Sequence, residues 1–483
     1  GSNNTAVGKE AAEAITTGAN NTAVGKSALA ANVSNGGNTA IGDSALTNSN
    51  GGYYNTAVGY QAGDELTTGN QSVFIGRGAG HSVTTGHYNT FVGDLAGGET
   101  TTASNNTAVG ALSLDANTTG TRLTAIGYEA LGSNTTGSYS AAGGWKALTT
   151  NTTGTHNSAW GDGSLQFNTT GVGNSALGQG ALAANTTGAS NTAIGSSAVA
   201  ANTTASENTA LGYGALTANT TASSNTAVGY NAMAANITGA DNTACGRTSL
   251  ATNTTGNYNV AVGLNALNDN TTASNNTAVG YDSLALNTTG HSNTAVGGYA
   301  GDSIVAGLQN TCIGYLTDIS ASGGANQIVI GNNISGGENS QVTIGQASNI
   351  IQNEFDTDNA WTQSSDVRKK KNIADAVLGL NFVNDLRPVT YEWKPNNEFP
   401  KDFAGYGEEN HMTLDVTMHG LVAQEVKEAL DKTGVERFAG WKEDADGCQR
   451  ISKEMFVFPL IKAVQELSTQ LDAALARITT LEG

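Results

Sequence analysis

The sequence is poor in charged residues, aromatic residues, proline and cysteine. Of its 483 residues, 13% are charged and 6% are aromatic, four are proline and three are cysteine. Cys245, Cys312 and Cys448 share no spacing pattern, so we expect neither a disulfide framework nor a zinc site. No apolar run approaches the roughly 18 residues of a membrane helix, which argues against membrane insertion. The net charge of −19 argues against nucleic acid as a partner.

The scarce charges and prolines are also unevenly distributed. Residues 1–345 contain 6 of the 21 lysine and arginine residues, and all four prolines lie at position 388 or later. A basic run, RKKK at 368–371, follows more than 300 residues rich in Gly, Asn, Thr and Ala. The sequence opens within that repetitive segment, as GSNNTAVG, and we expect the natural N-terminus to be missing. Two regions of different construction are therefore expected.

Residues 1–345 consist of a 17-residue repeat with the pattern NTAVGxxALxxNTTGxx. The Val of NTAVG, or its substitute, occurs at 20 positions from Val7 to Ile330, each 17 residues after the last, and Ile344 follows after 14. Seventeen residues are too few for a helix–turn–helix repeat, which needs more than about 30, but they suit one coil of a β-solenoid. Twenty coils stacked about 4.8 Å apart would form a rod roughly 95 Å long.

Each coil is expected to contain two short strands. Turns would fall at the Gly after NTAV and at NTTG, because Gly and Asn tolerate positive φ. Such a thin coil would enclose mostly Ala, Val and Thr and would leave a stripe of Ala and Leu exposed. Because a long exposed apolar patch usually marks an interface, we expect self-association along the rod, most simply as a parallel homotrimer.

The NTAVGxxAL unit resembles the head repeats of trimeric autotransporter adhesins. The resemblance covers about residues 3–345 and implies a left-handed parallel β-roll built by three chains side by side. The family's common unit is nearer the 14 residues seen before Ile344. The NTTG turn is therefore interpreted as an enlarged loop.

Some features of the repeat leave alternatives open. The threonine pairs of NTTG, such as Thr118–Thr119, suit a turn but could also form an ice-binding column. Bulky residues in the small-residue lattice could be local packing or a sugar-stacking surface; they are Phe74, Phe91, Trp145, Trp160 and the pair Tyr53 and Tyr54. The histidines of this region share no metal-ligand spacing. We therefore expect no metal and no cofactor.

The region after Ile344 is predicted to be α+β. NIADAVLGLNFVNDL has helical apolar spacing, PVTYEWK is typical of a strand, and HGLVAQEVKEAL places an apolar segment before a helix. From Phe458 onward one long helix is expected. Its apolar residues follow the a/d seam of a coiled coil, which again implies oligomerisation; they are Leu460, Val464, Leu467, Leu471, Ala474, Ile478 and Leu481. DADGCQR at 444–450 only hints at a calcium loop, because it lacks the distal Glu.

This C-terminal region resembles the intramolecular chaperone domain of phage tail spikes and fibres, a family of self-cleaving peptidases. The pattern S-D-x-R-x-K-x-x-I is met by Ser365, Asp366, Arg368, Lys370 and Ile373. The likeness continues through L-x-P-V-x-Y-x-W-K at 386–394, G-L-V-A-Q-E-V at 420–426 and the terminal helix. It spans nearly all of the last 120 residues.

The resemblance implies that Ser365 is the nucleophile and Lys370 its base. Ser365 would attack the carbonyl carbon of Ser364, the scissile residue, with Asp366 and Arg368 in supporting roles. A lysine base must be neutral, and neighbouring positive charges favour the neutral form. The basic run would supply those charges, although Lys369 and Lys371 could equally form a solvated face.

The resulting prediction is a mainly β fold. A trimeric parallel, left-handed β-roll at 1–345 is followed by a linker at 346–364 and a chaperone domain at 365–483, with a coiled coil at 458–482. The expected function is a virion tail fibre that binds a host surface glycan or protein, with the chaperone domain released in the infected host cytoplasm. Its only expected enzymatic act is one self-cleavage. Two alternatives stay open: a cellular trimeric adhesin, and a fibre that degrades polysaccharide with paired carboxylates.

Overall fold

The computed structural model describes residues 1–355, 367, 370–401, 403, 406–409, 416–444 and 447–482. Contacts divide the chain into two compact units, residues 1–364 and 365–483. We call the described part of the first unit the shaft and that of the second the C-terminal unit. Within the described residues, no helix is long and apolar enough to cross a membrane.

The shaft is a parallel β-solenoid whose repeating element is a three-residue strand. Nineteen such strands occur, each 17 residues after the one before: β1 Thr5–Val7, β2 Thr22–Val24, β3 Thr39–Ile41, β4 Thr56–Val58, β5 Val73–Ile75, β6 Thr90–Val92, β7 Thr107–Val109, β8 Thr124–Ile126, β9 Ala141–Gly143, β10 Ser158–Trp160, β11 Ser175–Leu177, β12 Thr192–Ile194, β13 Thr209–Leu211, β14 Thr226–Val228, β15 Thr243–Cys245, β16 Val260–Val262, β17 Thr277–Val279, β18 Thr294–Val296 and β19 Thr311–Ile313.

The last coils of the shaft are more elaborate. They contain β20 Thr317–Asp318, β21 Ile328–Asn332, β22 Ile334–Ser335, β23 Gln341–Gln346 and β24 Asn349–Glu354.

Strand pairing confirms the predicted coil length. Each residue of a strand lies beside the residue 17 positions on, as from Thr5 and Thr22 through to Ile313 and Ile330. The last parallel step pairs Ile330 with Ile344, an interval of 14. β24 then runs antiparallel to β23 and covers its free edge. The stretch 346–364, predicted as a linker, therefore begins with a strand of the shaft.

The prediction of two strands per coil is wrong for the coils of β1 to β18 and is confirmed only in the last two full coils, which contain β19 with β20 and β21 with β22. The ALxx segment after each strand is a series of turns, and its Leu has positive φ, as in Leu29 with φ of 56° and Leu46 with φ of 50°. A left-handed Leu is strained by its Cβ, but here the conformation turns the side chain into the coil, where Leu29 and Leu46 are fully buried. Burial of the Leu side chain offsets the strain.

The predicted division between inside and outside also needs correction. From β2 to β19 the middle residue of each strand faces inward and is buried, as Ala23 is, together with the Ala and Leu of the ALxx segment, such as Ala28 and Leu29. The third residue faces outward, with Ile41 40% exposed and Leu211 46% exposed. The exposed apolar stripe thus consists of the Val, Ile and occasional Leu that end the strands, rather than the Ala and Leu of the ALxx segment.

Two columns of fully buried asparagines run along the shaft. In the first, the Asn before most strands accepts from the backbone N–H of the equivalent residue one coil later, as Asn174 Oδ1 does from Asn191 at 3.0 Å. In the second, the Asn of NTTG donates to its equivalent one coil earlier, as Asn185 Nδ2 does to Asn168 Oδ1 at 2.8 Å. The columns meet at Gly188 O, which accepts from both Asn174 Nδ2 and Asn185 Nδ2. These hydrogen bonds explain why the repeat keeps its length, since an inserted residue would leave buried amides unpaired.

Size-compensating exceptions interrupt the regular core. Phe74 and Phe91 occupy inward strand positions that elsewhere hold Ala, and both are fully buried. Gly80 and Gly97 replace the Leu of the same coils, and an added Cβ on either glycine would lie 2.5 Å from the adjacent phenylalanine ring. The phenylalanine ring thus fills the volume that Leu fills in other coils.

The C-terminal unit is small and mixed. It contains α1 Leu380–Asp385, β25 Val389–Tyr391, β26 Met418–Gly420, α2 Ala423–Thr433, β27 Trp441–Glu443, β28 Gln449–Ile451 and α3 Val457–Glu482, with 3-10 turns at Asn396–Glu398 and Lys453–Phe456. β25 pairs antiparallel with β26, and β27 with β28. Its core comprises five buried residues, Leu378, Phe382, Val426, Ala429 and Leu430.

The predicted elements of this unit are present, with one shortened. The strand in PVTYEWK, the helix in HGLVAQEVKEAL and the long terminal helix are confirmed. The helix expected across NIADAVLGLNFVNDL begins only at Leu380. Gly379 stands at its N-cap with φ of −128°, and the low helix propensity of glycine accounts for the late start.

Candidate functional site

Four of the five predicted site residues lie outside the described residues. They are Ser364, Ser365, Asp366 and Arg368. Lys370 is described: its backbone N–H donates to Val367 O at 3.1 Å, and its side chain is exposed. The dyad geometry of Ser365 and Lys370 therefore stays a prediction.

The two motif segments after the basic run are brought together in the C-terminal unit. Thr390 of β25 pairs with His419 of β26. Arg387, just before β25, forms a two-pronged ion pair with Glu425 in the first turn of α2. The hydrogen bond from Arg387 lowers the pKa of Glu425, and the same bond raises the pKa of Arg387. This ion pair was not predicted, because the residues lie 38 positions apart.

Helix α3 presents the predicted seam to solvent in the single chain. The aliphatic seam residues are between 49% and 86% exposed: Leu460, Val464, Leu467, Leu471, Ile478 and Leu481. The side of its first turns that flanks the seam is buried at Pro459 and Ala463. Glu466 fixes the helix to α1, because its Oε2 accepts from the backbone N–H of Leu380 at 2.8 Å. The seam is thus an exposed apolar face on an anchored helix.

A groove of about 1050 Å³ lies between the two small sheets of the C-terminal unit. Aromatic and apolar side chains line it, among them Tyr391, Trp393, Phe399 and Phe403, and Arg450 lies at its edge. Tyr391 and Trp393 contact edge to face, with ring centroids 5.5 Å apart. The sequence pattern predicted only a strand in PVTYEWK, although the alternating Tyr391 and Trp393 could have indicated this surface.

The described part of the suggested calcium loop is held by ion pairs. Asp444 binds Lys442 Nζ at 3.0 Å and also Arg450. The hydrogen bond from Lys442 and that from Arg450 lower the pKa of Asp444. Asp444 is therefore paired with two cations, and Asp446, the other carboxylate of this loop, lies outside the described residues.

The shaft carboxylates bear on the polysaccharide-degrading alternative. Asp302 faces a shallow cleft of about 260 Å³, which is also lined by Asp282 and Tyr299. Burial raises the pKa of Asp302, and the nearby charge of Asp318 adds to this effect. Asp302 and Asp318 lie within hydrogen-bonding reach of each other. A glycosidase needs its two carboxyl groups at least about 5 Å apart to act on the bond between them, so this pair is too close.

The bulky and threonine-rich features divide between core and surface. Phe74 and Phe91 are buried, so they cannot stack on a sugar. Trp145 is half exposed and lies under the Lys146 ammonium, 4.7 Å from the ring centroid. The first Thr of each NTTG is engaged by the next coil, as Thr152 Oγ1 donates to Thr169 O at 3.1 Å. The threonine column is therefore in part a hydrogen-bonding element of the coil.

Together, the shaft and the C-terminal unit define a class of protein. A charge-poor solenoid with an exposed apolar stripe is followed by a small α+β unit with an exposed helical seam. Both surfaces are typical of proteins that assemble from several chains.

Comparison with known proteins makes the assignment more specific. Residues 365–435 match the model of the family described as chaperone of endosialidase. No curated protein matches the chain. The family match and the solenoid of 17-residue coils support a tail-fibre-like protein with a C-terminal chaperone domain.

Proposed function

We propose that this chain is a homotrimeric tail fibre or spike of a virion, whose shaft binds a host cell surface. The C-terminal unit would bring three chains together in register and then remove itself by cutting the Ser364–Ser365 bond. The observation that carries the proposal is the family match, which begins at Ser365. The resemblance of Ser365 and Lys370 to the family's nucleophile and base supports the cleavage.

The proposed cleavage is a single acyl shift followed by hydrolysis. Lys370 Nζ takes the hydroxyl proton while Ser365 Oγ attacks the carbonyl carbon of Ser364. The C–N bond then breaks, the Ser365 nitrogen takes up a proton, and the Ser364 acyl group is left as an ester on Ser365 Oγ. Water hydrolyses that ester, giving a carboxylate at Ser364 and restoring the hydroxyl of Ser365.

Exposure of Lys370 in the single chain suggests how cleavage is coupled to assembly. A lysine works as a base when desolvation and nearby positive charge favour its neutral form. In one chain Lys370 and Lys371 are both exposed. Association of three C-terminal units would desolvate this region, so cutting would follow trimer formation.

A clamp at one end of the shaft answers a problem that the repeat creates. Identical chains can slip past one another by any multiple of 17 residues and still present matching faces, because register is weakly specified in repetitive sequences. Association of the α3 seams would align the C-terminal units of the three chains in register before the shafts associate. Cleavage after assembly would remove the domain that directs assembly, so that the fibre could not dissociate and assemble again by the same route. The fibre would then be kinetically stable.

The intact mass of freshly expressed protein under denaturing conditions tests the cleavage. Fragments of 364 and 119 residues are expected from the 483-residue chain. Ser365→Ala should remain whole, whereas Ser364→Ala should still be cut. Native mass measurement of the same samples should show a trimer for both the cut and the uncut chain.

Each outcome bears on a different part of the proposal. A wild-type chain that remains whole in a verified trimer would remove self-cleavage and leave a permanent trimerisation domain. Cutting that depends on Ser364 instead of Ser365 would move the scissile bond by one residue. A monomeric chain would contradict the fibre assignment itself.

A further inference from the structure

The outer stripe of the shaft is its most uniform surface. We define it as the third residue of each strand from β1 to β19, with Ile330 and Ile344 at its end. Eighteen of these 21 positions hold Val, Ile or Leu, and the others hold Gly143, Trp160 and Cys245. Charged residues are absent from all 21 positions, although the first 345 residues contain 23 of them, counted as 6 basic and 17 acidic.

Even the one gap in the stripe is filled. Gly143 has no side chain, but the Trp160 ring of the next coil lies over it, and an added Cβ on Gly143 would come within 2.2 Å of that ring. Gly143 is buried as a result, while Trp160 stays 40% exposed. The stripe is therefore apolar along its full length, including the coil where its sequence pattern fails.

The border of the stripe resembles the rim of a protein interface. Two residues after each strand lies a second exposed column, which includes the stacked pair Tyr213 and Tyr230, with ring centroids 5.5 Å apart, and the ion pair of Arg77 and Asp94 at 2.7 Å. An apolar centre beside tyrosines and charged residues is the usual arrangement of an interface. The stripe and this column together give one side of the shaft an apolar centre and a polar border.

A partner that binds along the whole stripe must have the same repeat spacing as the stripe. Side chains recur every coil, about 4.8 Å apart, over roughly 95 Å. Another copy of this chain in parallel orientation presents the same spacing along the same length, so every Val or Ile can meet an equivalent residue. Resting on the trimer proposed above, we infer that the outer stripe is the face through which the three shafts pack, parallel and aligned.

This inference makes Cys245 a built-in reporter. It lies in the stripe at the end of β15, and its thiol is exposed in the single chain. In aligned parallel shafts the Cys245 residues of different copies lie at the same height and face each other. In antiparallel shafts they would be many coils apart.

The test is thiol cross-linking of the native oligomer with a short bismaleimide, read as covalent dimers on denaturing gels. Cys448→Ser is included in every variant, so that only the shaft reports. The chain with Cys245 should give dimers, and Cys245→Ser should give none. Cys245→Ser with Thr255→Cys is the matched control, because Thr255 is exposed in the same coil but outside the stripe; it should give few.

The oligomeric state is measured first on the same samples by sedimentation. A trimer that cross-links through Thr255→Cys and not through Cys245 would overturn the inference while leaving the proposed trimer intact. A trimer without cross-links at either position would also overturn it. A monomer would overturn both the inference and the proposed function.

Discussion

Replacement of Asn185 by aspartate tests whether the buried asparagine columns hold the shaft together. Asn185 Nδ2 donates to Asn168 Oδ1 at 2.8 Å and to Gly188 O at 3.0 Å, and its Oδ1 accepts from Asn202 Nδ2 at 2.7 Å. Asn185→Asp preserves size and the accepting oxygen but removes both donated hydrogen bonds. It places a carboxylate against two acceptors inside a fully buried column.

The cost can be worked out bond by bond. Two lost hydrogen bonds cost about 1 kcal/mol each, and a buried acceptor without a donor costs about 1–3 kcal/mol more. Gly188 O retains its hydrogen bond from Asn174, so only Asn168 Oδ1 loses its donor. The expected loss at neutral pH is therefore about 3–5 kcal/mol, locally, in the coils around Asn185.

Acid should rescue this variant in part. Burial raises the pKa of a carboxyl group above its unfolded value of about 3.9, so the folded state binds the proton more tightly. Stability of the variant should therefore rise as pH falls from 7 towards 4, and the protonated carboxyl also recovers one donor. The wild-type amide does not titrate, so its local stability should lack this increase.

Hydrogen exchange followed by mass spectrometry on the full chain measures the effect. A loss of about 4 kcal/mol should lower the protection of amides in the coils around Asn185 by roughly a thousandfold, at about 1.4 kcal/mol per factor of ten. Thr187→Ala, at an exposed position in the same coil, is the control and should change stability by less than about 0.5 kcal/mol. Unchanged protection in Asn185→Asp at pH 7 would refute the role assigned to the columns.

Three further predictions follow from particular contacts. Gly97→Leu should destabilise its coil by about 1–3 kcal/mol through overpacking against Phe91. Adding Phe91→Ala should restore the protection of the coil's amides from hydrogen exchange, because it recreates the usual Ala and Leu pair. A double variant no more protected than the single variant would show that size compensation is not the cause. Burial raises the pKa of Cys312 to about 12, so this thiol is protonated at pH 8. It should resist labelling by maleimide until the coil opens on heating, which peptide mass measurement follows. Rapid labelling in the native shaft would contradict its burial. Leu471→Asp, on the α3 seam, should abolish trimers of the uncut chain in sedimentation, whereas Gln470→Asp, at the neighbouring position, should retain them. Equal trimer content in both variants would show that the seam is not part of the trimer interface.

Much of the shaft was determined by the sequence alone. An unbroken 17-residue phase predicts stacked coils because each coil must present the same surface to the next, and strand pairing from Thr5 to Ile330 follows that phase. The apolar spacing from Leu460 to Leu481 likewise predicts one long helix, because a 3.6-residue period places those side chains on one side. Periodicity is a local property, so it can be read without knowing the fold.

Which side of the strand faces inward was decided only by the tertiary structure. In T-A-V the period of two separates Ala from Thr and Val, but it does not say which set is inside. The coil is too narrow for Val at the strand centre once Leu from the ALxx segment also points inward, so Ala23 is buried and the Val side chains form the outer stripe. Three other contacts were likewise decided only by the tertiary structure: Phe91 against Gly97, Trp160 over Gly143, and Arg387 with Glu425. Each pair joins positions that the sequence separates, and only the folded chain brings them into contact.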